Sequence, residues 1–424
     1  MNYQLSTLPN GLKVVTVPMR ERNSAGVAIW VKTGGRYETP GVLGVSHFLE
    51  HMLFKGTKTR TTRGIKEEIE GVGGMLNAFT GEESTCYFAK LPKNYFVTAL
   101  EVLSDMVNHA TLSAEELRKE RTVILEELKM YRDLPAHHVH DLMGELLWPN
   151  QPLGRPLVGT EETVAKLKRS QIMSYKKRYY HPKNIVVSVS GQVDHDDVVE
   201  RVKDYFSQST RHGVSMFRKA NSRQSKPRTM MIEKQTEQTH FVIGLHTFSR
   251  YHPDRYKLEV LNVILGANMS SRLFEEVREK RGLAYEIKSG LSFYQDTGAL
   301  SVSAGVESKK TPTAIRVILA ELSKMQKRPA RDGELKRAKD YYVSQLTMAL
   351  EDTLDHLLWV GEKALYLGEM PDLEEIKRGI EAVTAADIQK ISREIFRTPN
   401  LNLTLIGPIP PKIQSRIKHH FEMP

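Results

Sequence analysis

Alternating apolar and polar positions mark strands in blocks, and apolar residues at helical spacing fill much of the chain that follows each block. Strand patterns occur in GLKVVTVP and AGVAIWVKTGG near the start, and in HFVIGLHTF and GALSVSAGV in the second half. Strands in blocks followed by runs of helix favour antiparallel sheets with helices packed on them over a doubly wound parallel sheet. The predicted fold class is therefore α+β.

The two halves of the chain repeat one order of elements. Residues 164–191 have a helical pattern, a Pro-Asn turn and a strand that ends in glycine, and residues 383–407 follow the same order. The helical stretch 112–133 likewise has a counterpart in residues 330–353. Such self-similarity is typical of a duplicated domain. We therefore expect two homologous domains, each an antiparallel sheet packed with helices.

A polar, basic stretch without periodicity separates the halves, which is typical of a linker. We place this linker at residues 211–228. The predicted domains are then residues 1–210 and residues 229–424.

Composition and charge narrow the class of protein. The chain has 424 residues, of which 40% are apolar, enough for packed cores. Its 61 basic and 51 acidic residues are mixed along the sequence without a basic tract, so we expect a solvated basic surface and no nucleic-acid partner. No apolar run approaches the roughly 18 residues of a membrane span, and the N-terminus has no signal pattern. We expect a cytoplasmic protein without a membrane partner.

The single cysteine, Cys86, excludes an intrachain disulfide. It stands in a strand pattern, STCYFAKL, and this setting indicates a small buried residue rather than a nucleophile.

The segment GVSHFLEHMLFKGT, residues 44–57, places three titratable groups in an otherwise apolar run. Thr39 and Pro40 predict the start of a helix there, and Gly56 predicts its end. A helix that is apolar nearly all round is buried. Burying two imidazoles and a carboxylate without partners would be costly, so a metal ion is an attractive partner.

The spacing of these groups suits a metal site. His47 and His51 lie on one helix face, with Glu50 in the same arc. One metal ion can bridge the two imidazoles, and Glu50 would project beside it, where it can handle a water molecule. A motif this short can arise by chance among 15 histidines and 51 acidic residues, but the buried helical setting strengthens it.

A third ligand must come from another element. Glu120 and Glu127 lie two turns apart on one face of the predicted helix 112–133, and Val123 and Ile124 lie close to that face. Either glutamate can be the ligand, and either can equally be a solvated or salt-bridged side chain. The residue pattern leaves this choice open.

With these residues in view, the chain resembles the pitrilysin or insulinase-type metallopeptidases. It is similar in size and layout to the bacterial relatives of the mitochondrial processing peptidase. HFLEH matches the family's inverted H-x-x-E-H zinc motif. The resemblance implies one Zn²⁺ per chain, held by His47, His51 and Glu127. It also implies that Glu50 is the catalytic base and that Glu120 orients a ligand.

Two further segments contribute to the resemblance. Residues 73–88 look like the family's edge strand, which implies that Asn77, Ala78 and Phe79 hold the substrate backbone. Residues 269–287 resemble the family's other signature. This implies that Arg278 and Tyr285 close over the substrate and help to bind the developing oxyanion.

The function implied by the resemblance is a zinc-dependent endopeptidase that hydrolyses short or unfolded peptides inside an enclosed chamber. Two copies of the chain are expected to form that chamber as a homodimer, so that Arg278 and Tyr285 act across the interface. The alternative is a non-catalytic partner or scaffold subunit, because inactive members of the family exist. A further cluster, His137, His138 and His140, is interpreted as exposed imidazoles at a helix start.

Overall fold

The computed structural model describes residues 3–207, 213, 216–370 and 372–424. Part of the predicted linker, residues 211–212 and 214–215, lies outside the described residues. The eleven strands of the described residues are β1 (Gln4–Thr7), β2 (Lys13–Pro18), β3 (Ser24–Val31), β4 (Met75–Thr80), β5 (Thr85–Pro92), β6 (Ile185–Gly191), β7 (Arg228–Glu233), β8 (Thr239–Thr247), β9 (Ala284–Phe293), β10 (Gly298–Val306) and β11 (Asn402–Gly407).

Fifteen α-helices occur in the same described residues. They are α1 (Val45–Leu53), α2 (Thr62–Glu70), α3 (Phe96–His109), α4 (Ala114–Asp133), α5 (Pro135–Leu147), α6 (Glu161–Lys166), α7 (Arg169–Tyr179), α8 (His195–Tyr205), α9 (Arg255–Leu265), α10 (Thr311–Lys327), α11 (Asp332–Ala349), α12 (Thr353–Tyr366), α13 (Leu373–Glu381), α14 (Ala385–Ile395) and α15 (Pro411–His419).

The described residues divide into two compact units. The first contains Met1–Leu128, Arg155–Arg218 and Thr347–Leu373, and the second contains Lys129–Gly154, Lys219–Leu346 and Glu374–Pro424. Helix α5 comes from the first half of the sequence but belongs to the second unit. Helix α12 comes from the second half but belongs to the first unit. The division into residues 1–210 and 229–424 stays a prediction.

The first unit is built on a six-stranded sheet in the order β1-β2-β6-β3-β5-β4. Strand β3 shows how the sequence makes two cores. Val27, Ile29 and Val31 are buried in the core that also contains α1 and α3, whereas Ala28 and Trp30 are buried in the core formed with α12. Since successive strand residues point to opposite faces, a strand buried on both faces is nearly continuously apolar.

The second unit is built on a five-stranded sheet in the order β7-β11-β8-β10-β9. Residues of α9, α10 and α14 form the core on one face. Helix α5 covers the other face, where Val139 and Met143 pack with Val242 and Ile406.

The two sheets share one topology, which confirms the predicted α+β class with two homologous domains. Without β1, the first sheet has the same order as the second, with β2 matching β7 and β6 matching β11. Each sheet is mixed, so the predicted purely antiparallel sheets were wrong: β2 pairs with β6 and β7 with β11 in parallel, whereas the other pairs are antiparallel. Parallel neighbours need a long crossover, and the helices between these strands provide it.

Other expectations about the chain concern Cys86 and the membrane. Cys86 is fully buried in β5, as predicted. None of the helices in the described part of the chain has both the length and the hydrophobicity needed to cross a bilayer.

We predict that Gly361→Ala destabilises the first unit. Gly361 lies in α12, and a Cβ there would overlap the Trp30 indole nitrogen of β3. Overpacking of this kind costs about 1–3 kcal/mol. The measurement is the free energy of unfolding by urea denaturation.

The matched control is Gly144→Ala in α5, where a Cβ would meet nothing within 4 Å. Since alanine favours a helix over glycine by about 1 kcal/mol, this variant should be neutral or more stable. A loss of stability in both variants, or in neither, would contradict the close packing of α12 on β3.

Candidate metal centre

Helix α1 carries the predicted motif, but it begins later than predicted. Pro40–Val42 form a short 3-10 turn, and Gly44 then adopts a left-handed conformation with φ of +85°. The helix therefore runs from Val45 to Leu53 and ends at Phe54, so the predicted start at Thr39 and Pro40 was wrong. The prediction of burial is confirmed, because its apolar side chains are fully enclosed: Val45, Phe48, Leu49, Met52 and Leu53.

The structure brings His47, His51 and Glu127 together. One ligand atom from each lies within 4.8 Å of the others, and no other such group of three occurs among the described residues. The Nε2 atoms of His47 and His51 lie 3.6 and 3.5 Å from the Glu127 carboxylate oxygens. Ligands about 2.0–2.1 Å from a tetrahedral zinc ion are about 3.3 Å apart, so this spacing fits such an ion closely.

Glu120 lies on the other side of His51. Its Oε2 is 3.1 Å from His51 Nδ1, and its Oε1 is 2.6 Å from Lys55 Nζ. Burial acts to raise the pKa of Glu120, but hydrogen bonds from His51 and Lys55 outweigh it and lower the pKa. An ionised Glu120 accepts the Nδ1 proton of His51 and leaves Nε2 free to bind a metal. The structure thus separates the two glutamates that spacing alone left equivalent.

His47 provides an independent indication that the cluster suits a metal. Burial, together with the nearby His51, lowers the pKa of His47 to about 3, so this imidazole is neutral at neutral pH. A neutral imidazole is the form that binds a metal. His51 differs: burial opposes its charge, but Glu120, Glu127 and Glu50 together raise its pKa. The donor set is then one neutral imidazole, one imidazole oriented by a carboxylate, and a carboxylate.

Glu50 lies beside this donor set. Burial raises the pKa of Glu50, as does the charge of Glu127, whereas a hydrogen bond from Thr80 and the charge of His51 lower it. The Thr80 hydroxyl of β4 donates to Glu50 Oε2. A carboxyl group whose pKa is raised above its ordinary value suits general acid–base chemistry. Sequence reasoning missed Thr80, because nothing in the strand pattern identifies its partner.

The predicted substrate segment is an edge strand of the first unit. Among the described strands, β4 pairs only with β5, with Asn77, Ala78 and Phe79 opposite Phe88, Tyr87 and Cys86. The Ala78 N–H donates to Asn77 Oδ1 at 2.8 Å. Phe79 packs edge-on against Trp30, with ring centroids 5.5 Å apart. Thr80, which contacts Glu50, is the last residue of the same strand, so β4 ends beside that carboxylate.

Arg278 and Tyr285 meet in the second unit. Arg278 lies in a π-helical segment, Phe274–Glu279, a conformation frequent at functional sites. Its guanidinium carbon lies 4.6 Å from the centroid of the Phe274 ring and 5.0 Å from that of Tyr285. Tyr285, in β9, is 78% exposed. The two predicted residues thus form one aromatic–cation cluster.

The histidines of α5 do not form a metal site. The helix begins at Pro135, and His137 and His140 are exposed, as expected, whereas His138 is half-buried, so the prediction for that residue was wrong. They belong to no group of three ligands among the residues that the structure describes.

The fold and the His–His–Glu cluster define a class, that of two-domain α+β proteins with a metal centre between two helices of the first domain. Comparison with known proteins identifies the family within this class. The family model described as Insulinase (Peptidase family M16) matches residues 13–161, and the model described as Peptidase M16 inactive domain matches residues 166–342.

Relatives and solved structures agree with these matches. An uncharacterized zinc protease of Bacillus subtilis, YmxG, is 36% identical over 402 residues, which cover 95% of this chain and 97% of the relative. A Streptomyces coelicolor zinc protease is also 36% identical and covers 97% of this chain and 91% of its own. The chain belongs to the insulinase, or M16, peptidase family. The structure of a Helicobacter pylori protease shares the fold, with a TM-score of 0.90 at 24% identity over 96% of this chain and all of that one.

The loop after α1 is held by Asp105 of α3. Asp105 accepts hydrogen bonds from the hydroxyls of Thr57 and Thr59 and, at 3.0 Å, from Arg60. Burial acts to raise the pKa of Asp105, but these bonds and one from His109 outweigh it and lower the pKa. The network fixes the segment that connects α1 to α2.

We predict that Asp105→Asn lowers the free energy of unfolding by about 1–3 kcal/mol at neutral pH, because an amide replaces one acceptor by a donor. Since the folded-state pKa of Asp105 is lowered, its contribution is complete above the unfolded pKa of about 3.9 and is lost as the pH falls through the folded value. Urea unfolding of both proteins at pH 7, 5 and 3.5 should show the difference shrinking at the lowest pH. A constant difference would contradict this assignment.

Proposed function

We propose that this chain is a zinc-dependent endopeptidase that hydrolyses short or unfolded peptides. The observation that carries the proposal is the convergence of His47, His51 and Glu127 with Glu50 beside them. Membership of a family with relatives named zinc proteases supports it.

The donor set supports one Zn²⁺ per chain, held by His47, His51 and Glu127. Two imidazoles and a carboxylate are a common ligand set of catalytic zinc, because they leave one position open. Zinc bound there would polarise the scissile carbonyl and acidify water.

The chain's own residues then carry the proton transfers. Glu50 accepts the proton of the attacking water and later delivers it to the leaving amine. The raised pKa of Glu50 favours both roles, since the group must first hold a proton and then release it. Thr80 holds one oxygen of Glu50, which leaves the other available to the water. Glu120 orients His51, and Lys55 balances the charge of Glu120.

The edge of β4 supports a substrate that binds as an added strand. An extended peptide can pair with the backbone of Asn77, Ala78 and Phe79. The Ala78 N–H donates to the Asn77 side chain in an exposed hydrogen bond. An unfolded peptide can exchange with that side chain, whereas a folded protein offers no free strand. This favours unfolded substrates.

We also propose that Arg278 and Tyr285 contribute from a second copy of the chain, in a homodimer that encloses the chamber. Arg278 helps to place the substrate, and the Tyr285 hydroxyl stabilises the developing oxyanion. The stacking of Arg278 on Tyr285 pre-organises the pair.

A scaffold role is the second candidate, because the matching model for residues 166–342 is described as an inactive domain. That match includes residues of both units, whereas the residues proposed for chemistry at the metal, from His47 to Glu127, lie outside it. A cytoplasmic location stays a prediction, which cell fractionation would test.

We predict that Glu50→Gln abolishes peptide cleavage while zinc content is retained. The substitution removes the proton acceptor but no ligand, so activity should fall by at least about 10³-fold. The measurement is mass-spectrometric detection of cut sites in a mixture of unstructured peptides, with zinc content determined on the same samples. If the native chain with full zinc cleaves nothing, the scaffold role replaces the peptidase.

We predict that Glu120→Gln weakens zinc binding about 10–100-fold, because an amide holds the His51 proton less firmly than a carboxylate. Competition with a chromophoric chelator gives the dissociation constant. Glu115→Gln, on the exposed face of α4, is the matched control and should bind zinc like the native chain. Equal affinity in all three proteins would show that Glu120 does not act on the metal.

We predict that chains carrying Glu50→Gln and chains carrying Tyr285→Phe are each impaired alone but recover activity when mixed. In a mixed dimer with sites shared between chains, one site combines an intact Glu50 with an intact Tyr285. That site restores up to about half of the native activity per mixed dimer. No recovery after proven subunit exchange would place both residues in one chain's site and contradict the shared chamber.

A further inference from the structure

The residue at the N-cap position of helix α1 cannot be one of the usual capping residues. The position before its first residue is Gly44, whose φ of +85° favours glycine. A Cβ at Gly44 would also overlap the carbonyl oxygen of Val158. Serine, threonine or aspartate, which usually cap a helix from this position, are therefore excluded. The first backbone N–H groups of α1 need acceptors from elsewhere.

Glu38 provides these acceptors from six residues upstream. The Gly44 N–H donates to Glu38 Oε2 at 2.7 Å, and the Ser46 N–H donates to Oε1 at 2.8 Å. Both carboxylate oxygens are thus used at one helix terminus. Glu38 is only 4% exposed, so these bonds form away from water, where hydrogen bonds are electrostatically stronger.

The surroundings of Glu38 contain groups that favour its ionised form and a burial effect that opposes it. Burial raises the pKa of Glu38 to about 7, against the effect of the Ser46 and Gly44 groups and of Arg155. Arg155 donates to the backbone oxygen of Glu38 at 3.2 Å. The positive end of the helix dipole also favours a carboxylate at this place.

A second contact fixes the same turn of α1. The Ser46 hydroxyl lies 2.7 Å from the Tyr175 hydroxyl, which lies 2.7 Å from Thr33 Oγ1, two residues after β3. Ser46 immediately precedes His47. Its N–H, held by Glu38, and its hydroxyl, held by Tyr175, therefore set the starting point from which the His47 side chain projects.

We infer that Glu38 is a positioning residue of the metal centre, which fixes the first turn of α1 and so places His47 opposite Glu127. Glu38 is none of the three proposed ligands, and the polar groups that it binds are those of the helix terminus. The inference rests on the proposed zinc site, and it adds a residue that acts on the ligands through the helix backbone.

The test compares Glu38→Gln and Glu38→Ala with the native chain. Glutamine keeps one acceptor oxygen, and alanine keeps none. Zinc dissociation constants from chelator competition should rise about tenfold for glutamine and further for alanine. With saturating zinc, kcat for a cleaved peptide should fall, whereas KM should change less than twofold, because β4 is untouched.

Asp352→Ala is the control for Glu38→Ala, because Asp352 caps a helix that carries no proposed ligand. Its Oδ1 accepts from the N–H groups of Leu354 and Asp355, at 2.7 and 3.1 Å, at the start of α12. This variant should lose stability but keep the native zinc affinity. The comparison separates positioning of the metal centre from general destabilisation.

The outcomes are distinct. Native zinc affinity in Glu38→Gln, or a loss of zinc affinity in Asp352→Ala equal to that in Glu38→Ala, would overturn the inference. If Glu38→Ala fails to fold, Glu38→Gln decides. A native chain that binds no zinc overturns the proposed function and this inference together, whereas a native chain that binds zinc and cleaves peptides, with Glu38→Gln indistinguishable from it, overturns the inference alone.

Discussion

Two imidazoles and three carboxylates lie close together around α1 and α4, partly buried beside an otherwise apolar core. Charges removed from water are tolerated only when each finds a partner. Glu120 has His51 and Lys55, and Glu50 has Thr80, whereas Glu127 faces the Nε2 atoms of both histidines. A divalent cation at that point would complete the balance. The sheet, the loop after α1 and the cap at the start of α1 together hold α1 and α4 in the positions that bring these five side chains together.

The duplicated scaffold is used asymmetrically. Both sheets have the same strand order. The edge strand at the equivalent end, β4 or β9, pairs with only one other strand among the described strands. Among the described residues, however, the first unit alone contains a three-ligand group. The second unit instead carries Arg278 stacked between Phe274 and Tyr285. The first unit thus contains the three proposed zinc ligands, and the second contains Arg278 and Tyr285, which are proposed to contact the substrate.

Much of this arrangement could be predicted from the sequence, because its signals are local. The spacing of His47 and His51 defines one helix face, and the apolar residues around them require burial. The choice between Glu120 and Glu127 is not local: a separation of seven residues puts both on the same face, and only the distances across to α1 distinguish them. The predicted helix start was wrong because Pro40–Val42 form a 3-10 turn and the left-handed Gly44 separates this turn from α1. Glu38 and Thr80 were missed because their partners depend on tertiary structure. The packing of α5 and α12 on distant sheets depends likewise on contacts that no local pattern encodes.

The most direct test of the central claim is X-ray absorption at the zinc edge of the zinc-loaded chain. The account predicts four nitrogen or oxygen ligands at about 2.0–2.1 Å and no sulfur ligand. The outer-shell scattering should correspond to two imidazoles. In a His47→Ala variant, the imidazole count should fall to one. A sulfur ligand, a six-oxygen shell typical of a loosely bound ion, or an unchanged spectrum in the variant would contradict the assignment of the metal to His47, His51 and Glu127.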